Sequence, residues 1–227
     1  MSNNKQACIF DMDGLLIDSE PLNKRSWQAS VNALGYELDD EKYIQLLGMR
    51  MHECEQLLLV WFGDGFPLDV FRQIMFGRRE TILKEEGVRL KKGAGELIEH
   101  LIEINYPCAL ATSSTKPEVK KYLLDSGLLS RFATIVTAED IQRSKPDPEI
   151  YLLACERLGI APQNAYVFED SVKGIQAAYT AGCKAIMIPD LIHPTPEIEQ
   201  KVYRIYPSLV DAFDLFPNYH DPRVGEV

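Results

Sequence analysis

The sequence predicts an α/β protein with a parallel central sheet and an all-helical segment inserted after the first strand. A short apolar run at residues 7–10 ends directly in Asp11-Met12-Asp13-Gly14. The long stretch that follows has apolar residues at helical spacing and little that reads as a strand. From Lys92 onward, strand-like and helix-like segments alternate. Such alternation is typical of βαβ units, which build parallel sheets.

The inserted segment is predicted to contain helices because apolar residues recur every three or four positions and a glycine follows each run. The predicted helices span residues 22–34, 43–47, 51–62 and 68–86. An all-helical insert directly after a strand tip is a candidate lid over the site that the strand presents. We therefore predict a cap domain at residues 18–89 and a core domain formed by residues 1–17 and 90–227.

The alternating part of the chain is predicted to supply the other strands and the helices that flank the sheet. The predicted strands after the first are residues 108–111, 135–137, 165–168 and 184–188. The accompanying helices begin near Ala94, Pro117, Pro148 and Val172. Proline suits the first turn of a helix, where its missing N–H is not needed. Beyond residue 188, the proline-rich sequence predicts loops, one short helix and a tail.

Composition limits the classes of function. The chain carries 34 acidic and 24 basic residues, and its net charge of -10 argues against nucleic acid as a partner, because such binding rests on a basic surface. No apolar run approaches the roughly 18 residues of a membrane span, and the N-terminal run is too short for a signal peptide. The five cysteines are scattered and form no C-x-x-C pair, as in a reduced cytoplasmic protein. We therefore expect a cytoplasmic protein with neither nucleic acid nor a membrane as a partner.

Polar clusters follow three of the predicted strands, and a lysine lies in a neighbouring loop. Their members are Asp11 and Asp13, Thr112 to Ser114, Lys145, and Glu169 with Asp170. Because the carboxyl ends of parallel strands meet at one edge of a sheet, these clusters are predicted to converge. Carboxylates from two strand tips suit Mg²⁺, and a hydroxyl, loop N–H groups and a lysine suit a phosphate. One Asp could then attack phosphorus while the other handles the proton of the leaving group.

These motifs resemble a known family. Asp11-Met12-Asp13-Gly14, Thr112, Lys145 and Glu169-Asp170 resemble, in order, the four motifs of the haloacid dehalogenase superfamily in its phosphatase and phosphomutase branch. The resemblance covers nearly the whole chain, including the helical insert. It implies a Rossmann-like core flanked by helices, with an inserted helical cap. Asp13 argues against dehalogenase chemistry, because the dehalogenases of the superfamily lack this second acid.

The resemblance implies a role for each matching residue. Asp11 would be the nucleophile, Asp13 the general acid/base and Thr112 a phosphate ligand, and Lys145 would stabilise both phosphate and nucleophile. The implied Mg²⁺ ligands are Asp11, Asp13 through its carbonyl, Glu169 and Asp170. The implied phosphate donors are the backbone N–H groups of Met12 and Ser113, and the candidate cap contacts to the substrate are Asn23 and Arg50.

The expected function is Mg²⁺-dependent hydrolysis of a small phosphorylated metabolite, a sugar or sugar-alcohol phosphate, through an aspartyl-phosphate. One alternative is a β-phosphoglucomutase. That subgroup has a histidine where this chain has Asn23 and a lysine where it has Leu47, and both departures favour the phosphatase. A more distant alternative is a non-enzymatic phospho-acceptor domain such as a receiver domain. Receiver domains, however, are shorter than this chain and have no helical insert. The substrate and the oligomeric state stay open, and a monomer is compatible with the sequence.

Overall fold

The computed structural model describes residues 5–47, 49, 51–124, 126–190 and 194–216. The chain divides into two compact units. We call Met1–Ile17 with Leu90–Val227 the core unit, and Asp18–Arg89 the helical unit. The candidate substrate contact Arg50 lies outside the described residues.

The core unit is built on one parallel sheet of six strands in the order β3-β2-β1-β4-β5-β6. The strands are β1 (Ala7–Phe10), β2 (Cys108–Ala111), β3 (Thr134–Val136), β4 (Ala165–Glu169), β5 (Lys184–Met187) and β6 (Arg204–Ile205). The strand order changes direction at β1, which lies between β2 and β4. In sheets of this class, ligands bind beyond the carboxyl ends of the strands at such a switch point.

Helices account for most of the remaining regular structure. In the helical unit they are α1 (Glu20–Ala33), α2 (Asp40–Leu46), α3 (Met51–Phe62) and α4 (Leu68–Glu86). In the core unit they are α5 (Ala94–Glu103), α6 (Lys116–Leu123), α7 (Glu149–Leu158), α8 (Val172–Thr180) and α9 (Pro196–Glu199). The predicted fold class, a parallel α/β core with an all-helical insert, is confirmed. Within the described residues, no helix is both long and apolar enough to cross a bilayer.

Buried side chains on both faces of the sheet hold the strands in place. Successive residues of a strand point to opposite faces. Ile9 and Val167 accordingly pack in one layer with residues of α7 and α8. The next residues along β1 and β4, Phe10 and Phe168, stack with ring centroids 4.8 Å apart. Every residue of β1, β2 and β4 is buried. The polar residues that follow these strands are therefore fixed at one edge of a rigid sheet.

The helical unit has its own apolar core. Val31, Leu58, Phe71 and Met75 are almost completely buried there. Trp27 of α1 packs edge-on against Phe71 of α4, with ring centroids 5.1 Å apart. The aromatic residues Trp27 and Phe71 thus pack within the helical unit.

Two details of the core differ from the sequence prediction. The strand predicted at residues 135–137 is Thr134–Val136. Thr137 instead begins a tight turn, because its backbone N–H and hydroxyl both donate to Asp140 Oδ2, at 3.0 and 2.8 Å. The prediction of only loops, one short helix and a tail after residue 188 missed β6. This two-residue strand is too short to show a sequence pattern, and it is flanked by hydrogen bonds from Tyr203 N to Ala185 O and from Tyr206 N to Met187 O.

Candidate active site

The first candidate residues follow β1 at the switch point of the sheet. The backbone N–H of Asp11 donates to Phe168 O at 3.1 Å, so Asp11 continues the pairing of β1 with β4. Three residues later, Gly14 has a φ of +81°, which favours glycine. A Cβ on Gly14 would lie 2.3 Å from Asp170 Oδ2. The glycine is therefore required both for the turn and for the close approach of the Asp170 carboxylate.

Lys145 is the cation at the centre of the cluster. Its Nζ donates to Asp11 Oδ1 at 2.5 Å, to Glu169 Oε1 at 2.6 Å and to Ala111 O at 3.3 Å. The side chains of Lys145 and Glu169 are 7% and 0% exposed. Charge pairs shielded from water in this way interact strongly. Removing one partner would destabilise the protein, because the other charge would stay buried and unpaired. One lysine thus joins the loop before α7 to the ends of β1, β2 and β4.

Further hydrogen bonds fix the orientation of Glu169. Tyr151 of α7 donates its hydroxyl to Glu169 Oε1 at 2.6 Å, and Lys145 Nζ lies 5.1 Å from the centre of the Tyr151 ring. Ser171 donates both its backbone N–H and its hydroxyl to Glu169 Oε2, at 3.1 and 2.9 Å. A Cβ on Gly174 would lie 1.8 Å from Glu169 Oε1, so only glycine lets the first turn of α8 approach the carboxylate. Buried polar groups need such partners, and Glu169 has them on both oxygens.

Burial and neighbouring charges shift the pKa values of the cluster in different directions. Burial raises the pKa of Asp11 to about 7, although the ammonium of Lys145 opposes the shift. Burial, together with the negative charges of Glu169 and Asp11, raises the pKa of Asp170 well above its ordinary value. Burial alone would also raise the pKa of Glu169, but the charge and hydrogen bond of Lys145 outweigh it and lower that pKa. The charge of Lys145 therefore does not offset the effect of burial on the pKa values of Asp11 and Asp170.

The pKa of Lys145 is shifted the other way. Burial alone would lower the pKa of the ammonium, yet the charges of Asp11 and Glu169 and the hydrogen bonds to both raise it above its ordinary value. The lysine is thus a permanent cation at neutral pH. A permanent cation is suited to holding an anionic group in place.

Three carboxylates fit a divalent cation. Asp11, Glu169 and Asp170 each offer one oxygen, and the three oxygens lie within 4.8 Å of one another. Hard cations such as Mg²⁺ take oxygen ligands of this kind. The raised pKa values of Asp11 and Asp170 indicate a site where such an ion would stabilise the ionised acids. The donor chemistry of these residues therefore fits the predicted Mg²⁺ site.

The second acid of the first motif accepts a hydrogen bond from the turn after β2. Ser114 donates its hydroxyl to Asp13 Oδ2 at 2.7 Å, and the Ser114 backbone N–H donates to Thr112 Oγ1 at 3.0 Å. The turn after β2 thus ties Asp13 to Thr112. The predicted metal ligand of Asp13 is its main-chain carbonyl, which leaves the carboxylate available for proton transfer. Ser113 is exposed at the same turn, and Met12 is fully buried.

Asn23 lies in the helical unit, in a cleft with a volume of about 270 Å³. Trp27 and Tyr43 line this cleft as well, and Tyr43 donates its hydroxyl to Glu20 Oε1 at 2.5 Å. Polar groups at the wall of a partly apolar cleft are typical of a small-molecule site. The cleft gives Asn23 a setting in which it could contact a ligand.

The structure brings the core-unit candidates together at one edge of the sheet, through direct contacts or a shared turn. The sequence interpretation included Ser114 in the cluster after β2 without its hydrogen bond to Asp13, and it missed two further groups at this edge: Tyr151 and the hydroxyl of Ser171. Tyr151 stands among the apolar residues of the helix predicted to begin near Pro148. A buried tyrosine usually needs a hydrogen-bond partner, and that was the available signal.

Comparison with known proteins agrees with this geometry. The sequence profile of the haloacid dehalogenase-like hydrolase family matches residues 8–188. Among curated relatives, a phosphorylated carbohydrates phosphatase from Thermotoga maritima is 31% identical over 181 residues, which cover 80% of this chain and 83% of the relative. Hexitol phosphatase B from Escherichia coli K12 is 33% identical over 195 residues, with coverages of 83% and 86%.

A solved structure extends the likeness to three dimensions. It is a Thermotoga maritima protein assigned provisionally as a beta-phosphoglucomutase, with a TM-score of 0.77 and 27% identity over 88% of this chain and 94% of that one. The family match covers most of the sequence, and the relatives named above are phosphatases. The predicted resemblance is confirmed: the chain belongs to the haloacid dehalogenase-like hydrolase family, as an enzyme that hydrolyses phosphoric monoesters.

Proposed function

We propose that the protein is a Mg²⁺-dependent phosphatase of a small phosphorylated sugar or sugar alcohol. The observation that carries this proposal is the position of Lys145, buried between Asp11 and Glu169, with Asp170 beside them. This arrangement offers a nucleophile, a fixed cation and an oxygen-ligand set at one point. The substrate class follows from the relatives, whose names specify phosphorylated carbohydrates and hexitols.

In the proposed first step, a carboxylate oxygen of Asp11 attacks phosphorus. A bond forms between Asp11 and phosphorus as the bond from phosphorus to the ester oxygen breaks, and Asp13 donates a proton to the leaving alcohol. Lys145 offsets the negative charge of the transferring group, where electrostatic stabilisation supplies much of the catalysis. Thr112 and the N–H groups of Met12 and Ser113 hold the phosphate oxygens.

In the second step, Asp13 takes a proton from water, which attacks phosphorus and breaks the bond to Asp11. Inorganic phosphate leaves and both acids return to their starting states. The hydrogen bond from Ser114 to Asp13 Oδ2 orients this acid for both transfers. Asp11, the Asp13 carbonyl, Glu169 and Asp170 would hold Mg²⁺. When bound, Mg²⁺ would neutralise charge on the phosphoryl oxygens and on these acids.

The helical unit is proposed to act as a cap that selects the substrate. Asn23 and Arg50 are its candidate contacts, and closure of such a unit would exclude bulk water from the reaction. We further propose a cytoplasmic location, since all five cysteines are free thiols.

The nucleophile assignment is tested by Asp11→Asn. We expect the variant to lose hydrolysis of p-nitrophenyl phosphate with Mg²⁺, by at least a thousandfold. Asp64→Asn, at an exposed position in the helical unit, is the matched control and should keep full activity. Full activity of Asp11→Asn would refute the assignment. The substrate class is tested by phosphate release from a panel of sugar, polyol and nucleotide monophosphates, and a preference for nucleotides would contradict it.

A β-phosphoglucomutase remains the second candidate, favoured by the likeness to the Thermotoga maritima structure. A mutase would return the phosphoryl group to a sugar rather than to water. Incubation with β-glucose 1-phosphate and a bisphosphate primer separates the two. Accumulation of glucose 6-phosphate in place of free phosphate would decide for the mutase.

A further inference from the structure

A second ion pair lies beside the Asp170 carboxylate. Lys91 Nζ donates to Asp190 Oδ1 at 2.6 Å, although the two residues are 99 positions apart in the chain. Asp190 follows β5, and Lys91 follows Leu90, where the chain re-enters the core unit. The two side chains are 25% and 18% exposed, so water screens this pair less than it screens most surface pairs.

Asp190 and Asp170 face the same side of Gly14. A Cβ on Gly14 would lie 2.3 Å from Asp170 Oδ2 and 3.5 Å from Asp190 Oδ2. Both oxygens therefore lie within 3.5 Å of the position that a Gly14 Cβ would take, and Lys91 contacts the other oxygen of Asp190. The backbone N–H of Lys91 also donates to Leu16 O at 2.8 Å, which fixes the base of the lysine against the loop after β1.

This geometry makes the edge of the sheet rich in negative charge. The contacts described above gather five carboxylates there, those of Asp11, Asp13, Glu169, Asp170 and Asp190, against the ammonium groups of Lys91 and Lys145. Carboxylates so close together repel one another unless a cation joins them. Asp190 adds to the attraction for a divalent ion without itself belonging to the trio whose oxygens lie within 4.8 Å.

We propose that Asp190, paired with Lys91, strengthens divalent-metal binding from outside the ligand set of the site. The proposal rests on the Mg²⁺ dependence proposed above. Asp190 strengthens metal binding through its negative charge near Asp170, and Lys91 partly offsets that charge. A negative charge near a divalent ion adds Coulomb attraction that falls with distance.

The test is calorimetric titration of the metal-free protein with MgCl₂. We expect Asp190→Asn to raise the Kd for Mg²⁺ by about tenfold or more, because it removes a negative charge near a divalent ion. Lys91→Met should leave the Kd at or below the wild-type value, because it removes a positive charge. Asp190→Glu, which keeps the charge, should recover part of the affinity. Glu197→Gln is the matched control, because it disrupts an ion pair of similar length, with Lys201 at 2.7 Å, and should leave the Kd unchanged.

Two results would overturn the inference alone. A Kd for Asp190→Asn within twofold of the wild-type value would show that its charge does not act on the metal. Equal losses of affinity in Asp190→Asn and Lys91→Met would show that the pair acts only as a structural link. If the wild-type protein bound no Mg²⁺ at all, the proposed metal dependence would fail and this inference with it.

Discussion

Tyr151→Phe tests whether the buried hydroxyl of α7 supports the site. The variant keeps the aromatic ring and its position near Lys145, and removes only the 2.6 Å hydrogen bond to Glu169 Oε1. Glu169 is 0% exposed, so no bulk water replaces the lost donor. A hydrogen bond to a charged group contributes about 1.5 to 3 kcal/mol. We therefore expect the free energy of unfolding to fall by about 2 kcal/mol.

Thermal unfolding followed by circular dichroism, in the presence of a chelator, measures this loss. For a chain of this size, 2 kcal/mol corresponds to a fall in Tm of about 4 to 8 °C. Tyr179→Phe is the control, since Tyr179 is 54% exposed and its Tm should stay within about 1 °C of the wild-type value. Equal Tm values for Tyr151→Phe and Tyr179→Phe would refute the argument that this hydroxyl stabilises Glu169.

Two further predictions concern the backbone at the site and the stability of the turn after β3. Gly14→Ala should lower Mg²⁺-dependent hydrolysis of p-nitrophenyl phosphate at least 100-fold, because its Cβ would collide with a carboxylate 2.3 Å away at a φ of +81°. Gly65→Ala is the control and should stay active, because a Cβ at Gly65 would have no atom within 4 Å. An active Gly14→Ala would contradict the steric argument. Burial alone would raise the pKa of Asp140, but hydrogen bonds from Arg157 and Thr137 lower it below its ordinary value. Its folded-state pKa thus lies below its unfolded one, so its stabilising effect is present above about pH 4 and fades as the pH falls. The Tm difference between wild type and Asp140→Asn should therefore be largest near pH 7 and shrink below pH 4, and a difference independent of pH would contradict this linkage.

Much of the core could be predicted because its signals are local. The apolar runs that became β1, β2 and β4 end in polar residues, and prolines and glycines mark the flanking helices. Parallel strands bring their carboxyl ends to one edge, so topology alone places Asp11 near Glu169 and Asp170. The loop carrying Lys145 needed more than topology. Its place in the cluster was inferred from the order of the motifs, and the structure puts its ammonium between two carboxylates.

Contacts that join distant segments could not be predicted in this way. Helical periodicity turns Tyr151 inward, but the partner of its hydroxyl depends on the registration of α7 against β4. The pairing of Lys91 with Asp190 joins two loops, and no sequence pattern or motif spacing indicates that these loops meet. In the helical unit, the sequence marks the apolar face of each helix, whereas the polar residues that contact a substrate follow no period.

The same distinction bears on how the two acids of the first motif are separated in function. They are two positions apart and are the same residue type, so nothing in the Asp-Met-Asp pattern itself assigns their roles. Their surroundings differ. Asp11 is buried against Lys145 and lies near Glu169 and Asp170, whereas Asp13 accepts a hydrogen bond from the neutral hydroxyl of Ser114. An acid held beside a lysine and other carboxylates is suited to share a metal, whose charge would favour the ionised form of the acid. This difference in neighbours agrees with the proposed roles of Asp11 as the nucleophile and Asp13 as the acid/base.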